Sequence, residues 1–420
     1  MDQNAGSALR RIETRCCIAG GGPAGMMLGF LLARAGVPVL VLEKHRDFLR
    51  DFRGDTIHPS TLELMHELGL LREFLKLPHQ EAAQLSGQIG DTLLTLADFS
   101  HLPTQCKFIA LMPQWDFLNF IAAQAQGLPG FTLKTETEAT DLIREGGRIA
   151  GVRAQTAQGP LEIRCDLLVA ADGRHSAMRR QAGLEVMELG APMDVLWMRL
   201  PRQADDPQQT FGRIDTGRIM VMLNRGDYWQ CAFVIRKGGY QEKLERGLPA
   251  FREEIAALAP YLRNRVQELR GWDDIKLLTV AVDRLRQWQL PGLLCIGDAA
   301  HAMSPIGGVG VNLAIQDAVA AANLLAGPLL LGAPSFDDLR AVQERREWPT
   351  RMTQRMQVLV QNNMISRVLA SQTRPTPPWL VRLIGRSPWL QCIPARLVGM
   401  GFRPEHVRSP RASPNGPGHG

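Results

Sequence analysis

Apolar positions in the first fifty residues follow the order of a strand, a tight turn, a helix and a second strand. The pattern predicts the first strand at 16–19, the turn at 20–25, the helix at 24–35 and the second strand at 37–42. Gly36, directly after the helix, is a typical helix stop signal. Together these elements predict a βαβ unit with a right-handed crossover.

Helical and strand-like spacing alternate along the rest of the chain. Helices are predicted at 58–75, 112–127, 240–269 and 336–370, and a further helix is predicted to begin around Val311 or Asn312. Strands are predicted within 85–111 and at 139–144, 148–155, 161–164, 166–171, 193–201, 218–224, 227–235, 275–282 and 293–296. This alternation predicts an α/β fold.

The composition is that of a globular protein, because 45% of the 420 residues are hydrophobic and 21% are charged. The longest apolar stretch starts at Ala318, contains Asn323 and Pro328, and is too short to span a membrane. No signal-peptide pattern precedes the first strand. The seven cysteines have no regular spacing that indicates disulfide pairs, and no C-x-x-C motif. We therefore expect reduced thiols and a cytoplasmic location.

The net charge of +6 is concentrated at the C-terminal end, where residues 371–420 hold seven arginines and one glutamate. The remainder is close to neutral, so no nucleic-acid-binding core is expected. This basic segment is rich in proline, and its last twelve residues have the composition of a disordered end. We expect Trp379 and Trp389 to dock on the preceding domain, with a weak contact to an anionic membrane surface as the alternative.

Gly20, Gly22 and Gly25 have the spacing G-x-G-x-x-G between the first strand and its helix. A turn without side chains lets a pyrophosphate approach backbone N–H groups and the positive end of the helix dipole. Glu43 ends the second strand, where its carboxylate can accept hydrogen bonds from ribose hydroxyls. The unit predicts an ADP-containing dinucleotide, either NAD or FAD. Its predicted binding residues are Gly20, Gly22, Pro23, Ala24, Gly25, Glu43 and Lys44.

Two later motifs also follow apolar strands. One is Asp172-Gly173 with Ser176 and Arg179. The other is "GDAAH" at 297–301, followed by Pro305, Gly308, Gly310, Asn312 and Asp317. With the glycine turn before them, these motifs resemble the single-component flavoprotein aromatic hydroxylases, the family typified by para-hydroxybenzoate hydroxylase. All three motifs are complete, and they span about 300 residues of the chain.

The resemblance implies bound FAD, with NADPH or NADH as a transient co-substrate. Asp298 would hydrogen-bond the ribityl chain, and the backbone of Val311 and Asn312 would meet the pyrimidine edge of the flavin. Reduced flavin carries negative charge at that edge, which a side-chain-poor loop and a helix N-terminus would stabilise. Further positions that match cofactor contacts of the family are Arg53, Gln114, Ala139, Asp172 and Gly310. His301 is expected to shape the loop; no catalytic residue is assigned and no metal site is predicted.

For the fold, the resemblance implies a Rossmann-like FAD-binding domain with an inserted β-sheet substrate domain and a helical C-terminal segment. The predicted FAD-binding domain covers 1–190 and 286–370, the substrate domain 191–285, and the C-terminal segment 371–420. Strands within 85–111 are expected to join the substrate side. Pocket candidates, chosen by segment alone, are His58, Trp197, Arg199, Arg218, Tyr228 and Trp229.

The implied activity is that of an FAD monooxygenase. Such an enzyme uses NAD(P)H and O2 to hydroxylate an aromatic, polyketide-like or quinone-like small molecule through a flavin C4a-hydroperoxide. An isoprenoid epoxidase or reductase of the same fold is the alternative enzyme, and a non-catalytic FAD-fold binding protein is the alternative outside enzymes. Asp298 and Asn312 argue against the latter, because a binding protein has no need to stabilise reduced flavin.

Overall fold

The computed structural model describes residues 10–49, 55–207 and 210–412. The strands of its larger sheet are β1 (Arg10–Ala19), β2 (Val39–Leu42), β8 (Phe131–Lys134), β9 (Thr137–Glu145), β10 (Arg148–Thr156), β11 (Gly159–Ala170), β19 (Gln289–Leu290) and β20 (Leu293–Cys295). The sheet has a parallel core in the order β20–β11–β1–β2–β8, to which the three antiparallel strands β9, β10 and β19 are added. The predicted α/β class and βαβ unit are confirmed.

Strands β1 and β11 of this sheet are much longer than the sequence predicts. The apolar run at 16–19 is only the buried half of β1, whose polar half at 10–14 pairs with β11. Likewise, the separate strands predicted at 161–164 and 166–171 form the single strand β11. Polar residues are tolerated in the first half of β1 because it is largely exposed, and Arg15 of β1 forms an ion pair with Asp166 of the neighbouring strand β11 (2.7 Å).

Helices cover the parallel core. They are α1 (Pro23–Arg34), α2 (Pro59–Glu67), α3 (Leu71–Phe74), α4 (Gln114–Gln126), α5 (Ala177–Ala182), α7 (Val309–Leu331) and α8 (Phe336–Val360). Helix α7 packs against both α1 and α8. By length and composition the helical stretch Ile306–Leu331 could cross a membrane, but 67% of its apolar window is buried inside the molecule. Helix α7 is therefore a core helix of this fold.

A second sheet contains seven strands, β5 (Gln84–Ile89), β6 (Thr92–Asp98), β13 (Met193–Pro201), β14 (Phe211–Asp215), β15 (Arg218–Asn224), β16 (Tyr228–Arg236) and β17 (Lys276–Leu278). Their order in the sheet is β17–β13–β16–β15–β14–β5–β6. Strand β5 joins through parallel pairing with β14, a strand that the sequence pattern missed. Helix α6 (Tyr240–Leu258) covers one face of this sheet. The opposite face, called the inner face below, packs on the loop before α7 through Ile306.

Two three-stranded sheets connect these layers. One contains β3 (Thr56–Ile57), β7 (Ile109–Leu111) and β4 (Gln80–Ala82), and the other contains β12 (Val186–Glu188), β18 (Asp283–Leu285) and β21 (His301–Ala302). Beyond α8 the chain passes through a π-helical turn, Gln361–Ile365, into α9 (Ser366–Ala370). The domain boundaries given above stay predictions.

The C-terminal segment contains two short helices, α10 (Trp379–Arg386) and α11 (Pro388–Gly399), which pack on β6. The prediction that the tryptophans dock on the cofactor domain is wrong, because Trp379 is 76% exposed and Trp389 is 70% exposed. Smaller residues make the contact instead, and an added Cβ at Gly385 would lie 2.6 Å from the Leu94 side chain. Of the predicted disordered end, residues 413–420 lie outside the described residues.

Candidate cofactor and active site

The glycine turn after β1 is shaped by close backbone contacts. Gly20 has a positive φ of 113°, and a Cβ added at Gly25 would lie 1.9 Å from the Gly20 carbonyl oxygen. At Gly22, in contrast, an added Cβ would meet no described atom within 4 Å. Gly22 is the N-cap of α1, Pro23 follows it, and no side chain caps the helix. The turn is therefore an open cradle with helix N–H groups at its floor, which suits a phosphate.

Glu43 lies at the edge of this cradle. Its carboxylate accepts hydrogen bonds from the backbone N–H groups of Gly21 (3.1 Å) and His45 (3.0 Å), and the residue is 8% exposed. The Glu43 carbonyl accepts a bond from Thr137 N–H at the start of β9, which also carries Ala139. The structure thus brings Glu43 and the start of β9 together, whereas the Lys44 side chain is exposed.

The third motif meets the first directly. Gly297, which follows β20, has a φ of 58°, and a Cβ added there would lie 3.1 Å from the Ala24 Cβ of α1 and 3.2 Å from the Ala314 Cβ of α7. The side chain of the next residue, Asp298, is 35% exposed. Arg174, from the second motif, places Nη2 3.7 Å from its Oδ2. All three motifs therefore converge at the carboxyl ends of the parallel strands, where α/β folds bind their ligands.

The second motif connects α5 to the loop of the third motif through hydrogen bonds. Asp172 Oδ2 accepts the N–H groups of Ala177 (2.8 Å) and Met178 (3.3 Å), so its carboxylate caps α5. Its other oxygen is buried without a hydrogen-bond partner among the described residues. Arg179 donates to the Ala299 carbonyl (3.4 Å) and so connects α5 to the third motif. Asp172 thus positions the backbone at the start of α5. A direct contact between Asp172 and FAD stays a prediction.

The loop before α7 turns through two glycines in left-handed backbone, Gly307 (φ 75°) and Gly308 (φ 64°). Helix α7 begins at Val309, slightly earlier than predicted, so Gly310 and Val311 lie in its first turn and no side chain caps it. Asn312 is 4% exposed, and its Oδ1 accepts bonds from His58 N–H (2.9 Å) and the Thr61 hydroxyl (2.7 Å). Its side chain therefore connects the start of α7 to the N-terminal end of α2.

Gln114, the first residue of α4, lies beside a buried cluster that the sequence did not reveal. Its N–H donates to Asp55 Oδ1 (3.4 Å), while Arg225 Nη2 lies 3.0 Å from Asp55 Oδ2. Gln230 donates to the same oxygen (2.5 Å). Burial raises the pKa of Asp55, and Arg225 partly offsets this. The cluster joins the second sheet to α4; no motif marks these residues, and Arg53 lies outside the described residues.

A second unpredicted cluster surrounds Asp317 of the third motif. Its carboxylate accepts bonds from Gly297 N–H (3.1 Å) and Arg346 Nε (2.9 Å), and it lies 2.6 Å from His301 Nε2. Arg346 also lies 3.4 Å from Glu405. The side chains of the cluster are at most 4% exposed; they are His301, Asp317, Arg346 and Glu405. Burial opposes ionisation of Asp317, yet His301 and Arg346 outweigh it and lower the pKa of Asp317. This geometry fits the predicted loop-shaping role of His301.

The pocket candidates divide between the two faces of the second sheet. Trp229 packs under α6 and donates to Asp206 (2.8 Å), and strand alternation places Arg218 on that face too, so neither faces the motif loops. The inner face carries Trp197, Arg199 and Tyr228. His58 is fully buried beside Asn312; burial lowers its pKa to about 4, although a hydrogen bond to the Val398 carbonyl opposes this.

A family model described as FAD binding domain matches residues 13–356, which cover all three motifs. The chain belongs to the FAD binding domain family. It is 33% identical over 400 residues to 6-methylpretetramide 4-monooxygenase of Streptomyces rimosus, an alignment that covers 94% of each chain. It is also 28% identical over 324 residues to the 12-dehydrotetracycline 5-monooxygenase/anhydrotetracycline 6-monooxygenase of that species, covering 72% of this chain and 60% of the relative.

The fold agrees with solved structures of such enzymes. Crystalline p-nitrophenol 4-monooxygenase of Pseudomonas putida superposes with a TM-score of 0.73, at 18% identity, over 94% of this chain and all of that one. The chain is an FAD-dependent monooxygenase, and the resemblance drawn from its three motifs is confirmed. The open cradle at Gly22 fits the pyrophosphate of FAD, and the uncapped start of α7 fits its flavin end. The individual contacts to FAD stay predictions.

Asp298→Ala is expected to reduce FAD affinity of this FAD-dependent monooxygenase by about tenfold or more without unfolding it. A charged carboxylate that accepts ligand hydrogen bonds contributes about 1.5–3 kcal/mol. Among the described residues, Asp298 makes only a long ion pair with Arg174. Equilibrium dialysis of FAD against the purified variant measures the loss. Arg174→Gln, which removes the same ion pair, serves as the control; full FAD occupancy in Asp298→Ala at micromolar protein would contradict the assignment.

Proposed function

We propose that this chain hydroxylates a planar, multi-ring aromatic compound of the polyketide type, with O2 and with NADPH or NADH as transient reductant. The observation that carries the proposal is a row of small residues across the inner face of the second sheet. The names of the relatives support it, since one hydroxylates 6-methylpretetramide and another acts on 12-dehydrotetracycline and anhydrotetracycline.

The row consists of direct cross-strand neighbours. Gly87 pairs with Gly212, Gly212 with Val221, and Val221 with Ala232, on β5, β14, β15 and β16. Trp197 on β13 follows Ala232 and ends the row. With strands about 4.8 Å apart, the four small positions span about 14 Å. The inner face therefore has a shallow apolar trough, which is longer than a single aromatic ring requires.

The trough is open at its centre, at Gly212 and Val221, while Gly87 and Ala232 at its two sides are buried; it lies close to the start of α7. A Cβ added at Gly212 would meet no described atom within 4 Å, and Val221 is 36% exposed. The neighbouring cross-strand row has larger side chains, Ile214 and Ile219, which pack on Ile306 from the loop before α7. A flat molecule in the trough would therefore lie one row from the loop that is predicted to hold the flavin.

The chain's own contributions to the reaction are binding, orientation and charge stabilisation. When bound, FAD would supply electron transfer from NADPH or NADH to O2 and delivery of one oxygen atom to the substrate. The N–H groups and dipole at the start of α7 favour negative charge at that position. The apolar trough would orient the ring system and exclude water from its face. The seven cysteines are free thiols, which supports the proposed cytoplasmic location.

The test is a substrate screen with a variant that fills the trough. Purified FAD-replete protein is given NADPH or NADH with single-ring phenols or with linear multi-ring polyketide aromatics, and products are sought by mass gain of one oxygen atom. Multi-ring compounds are expected to be hydroxylated. Gly212→Leu should lower kcat/KM for them by about tenfold or more, because it adds a side chain where the substrate lies.

The control is Arg213→Leu, which changes the next residue of β14 on the face toward α6. Gly212 has no positive φ, so the new side chain strains no backbone and FAD content should be unchanged in both variants. Unaltered turnover in Gly212→Leu, or hydroxylation of single-ring phenols alone, would overturn the assigned substrate class.

A further inference from the structure

We propose that α10 and α11 form a docking surface for an anionic membrane. The two helices repeat one pattern, a tryptophan, then an aliphatic residue four positions on and an arginine three positions after that. Residues at i, i+4 and i+7 share one face of a helix. The pattern places on the outward faces Trp379, Leu383 and Arg386 of α10 and Trp389, Ile393 and Arg396 of α11, called the tryptophan–arginine stripe below.

The stripe is exposed although its apolar members are large. Leu383 is 45% exposed and Ile393 is 53% exposed, in addition to the two tryptophans described above. The opposite faces hold the helices in place, since Ala395 and Gly399 are buried and Gly385 lies against Leu94. Large apolar side chains exposed on an anchored surface are typical of an interaction site rather than of packing.

The charge of the stripe selects its partner. Arg382 flanks the stripe and is exposed like Arg386 and Arg396, and residues 376–404 contain no acidic residue. Within the described part of the chain, none of these three arginines has an ion pair. A symmetric contact through the stripe would bring the arginines of both copies together, and the two helices themselves supply no carboxylate to pair with them, which disfavours self-association. An anionic surface would complement them.

The side-chain chemistry favours lipid over an acidic protein. Tryptophan rings occupy the headgroup level of a bilayer, and arginine stems cover apolar surface while the guanidinium reaches phosphate. Helices of 8 and 12 residues are too short to cross a membrane but can lie in its interface.

Docking would place the bilayer next to the site. Val398 of α11 accepts the hydrogen bond from His58 Nδ1 (2.7 Å), and His58 N–H donates to Asn312 at the start of α7. A lipophilic substrate dissolved in the bilayer would then enter close to the trough. That consequence rests on the proposed function, whereas membrane binding itself does not.

The test uses the full chain with bound FAD and vesicles of phosphatidylcholine, with or without phosphatidylglycerol. Sedimentation should show binding to the anionic vesicles only, and binding should weaken with added salt. Each arginine near an anionic surface contributes about fivefold, so R382Q/R386Q/R396Q should lower the partition coefficient about a hundredfold. W379S/W389S should lower it by about tenfold or more and remove the lipid-induced blue shift of tryptophan emission.

The matched control is R263Q/R270Q/R340Q, which removes three exposed arginines elsewhere on the molecule and should bind vesicles like the native chain. The FAD absorbance of each variant shows that it is folded, and NAD(P)H oxidation without lipid separates this test from that of the proposed function. Native protein that binds neither vesicle type would overturn the proposal. Concentration-dependent dimerisation that W379S/W389S abolishes would assign the stripe to self-association and overturn it as well.

Discussion

Gly22→Ala is expected to leave a folded apoprotein that binds FAD about tenfold or more weakly. The added methyl group meets no described protein atom within 4 Å, so folding is unaffected. It would instead occupy the cradle at the start of α1, where the pyrophosphate of FAD is predicted to lie, and overpacking of this kind costs about 1–3 kcal/mol. Titration of apoprotein with FAD, followed by flavin fluorescence, gives the affinity, and circular dichroism gives the fold.

Gly25→Ala provides the contrast within the same motif. Its new Cβ would lie 1.9 Å from the Gly20 carbonyl oxygen, so α1 could not keep its place on β1 and the apoprotein itself should be destabilised. Native FAD affinity in Gly22→Ala would show that the cofactor phosphates lie elsewhere. A loss of apoprotein stability in Gly22→Ala equal to that in Gly25→Ala would show that both glycines serve packing alone.

Arg346→Met is expected to lower the free energy of unfolding by about 3–5 kcal/mol. The substitution removes the buried cation between Asp317 and Glu405, and breaking a buried ion pair by removing one partner costs about this much. Chemical denaturation of the FAD-bound protein measures the change. Arg345→Met is the matched control, because Arg345 pairs with the same Glu405 from a side chain that is 30% exposed, and should cost about 1 kcal/mol. Equal losses in the two variants would contradict this account.

Acid should act on the same cluster. Because the pKa of Asp317 is lowered in the folded protein, its ionised form stabilises the fold fully above the unfolded-state pKa of about 3.9. That contribution is lost as the pH falls below about 4 and through the lower folded value. Thermal unfolding should therefore move to lower temperature in this range. The acid-dependent part should be smaller in Arg346→Met, since the cation that lowers the pKa of Asp317 is absent.

The sequence by itself determined the cofactor class and the order of the elements that bind it. Tight turns need residues whose backbone can adopt a positive φ or can lie very close to another segment of the chain. Only glycine does this without strain, so the spacing of Gly20, Gly25 and Gly297 is recognisable in the sequence. Glu43 and Asp298 were also identifiable, because Glu43 directly follows β2 and Asp298 comes three residues after β20. These signals are local, and three local motifs in one order identified the family.

Only the tertiary structure decided which distant residues complete the site. Arg346 and Glu405 reach Asp317 from two separate segments, and Arg225 reaches Asp55 across two layers of the fold. Such pairs are set by packing between elements, and no spacing within one segment encodes them.

The sheet faces show the same division. Gly87 and Gly212 become neighbours only through the pairing of β5 with β14, a strand that the sequence pattern did not predict. The register of β16 turned Trp229 toward α6, since a shift of one residue exchanges the faces of a strand. Small residues, Gly385 and Ala395, lie on the helix faces that contact β6, because they let α10 and α11 approach the strand more closely than tryptophan side chains would. Trp379 and Trp389 lie on the other faces and are exposed. Apolar character is written in the sequence, but the surface that buries it, or leaves it exposed, depends on all the elements together.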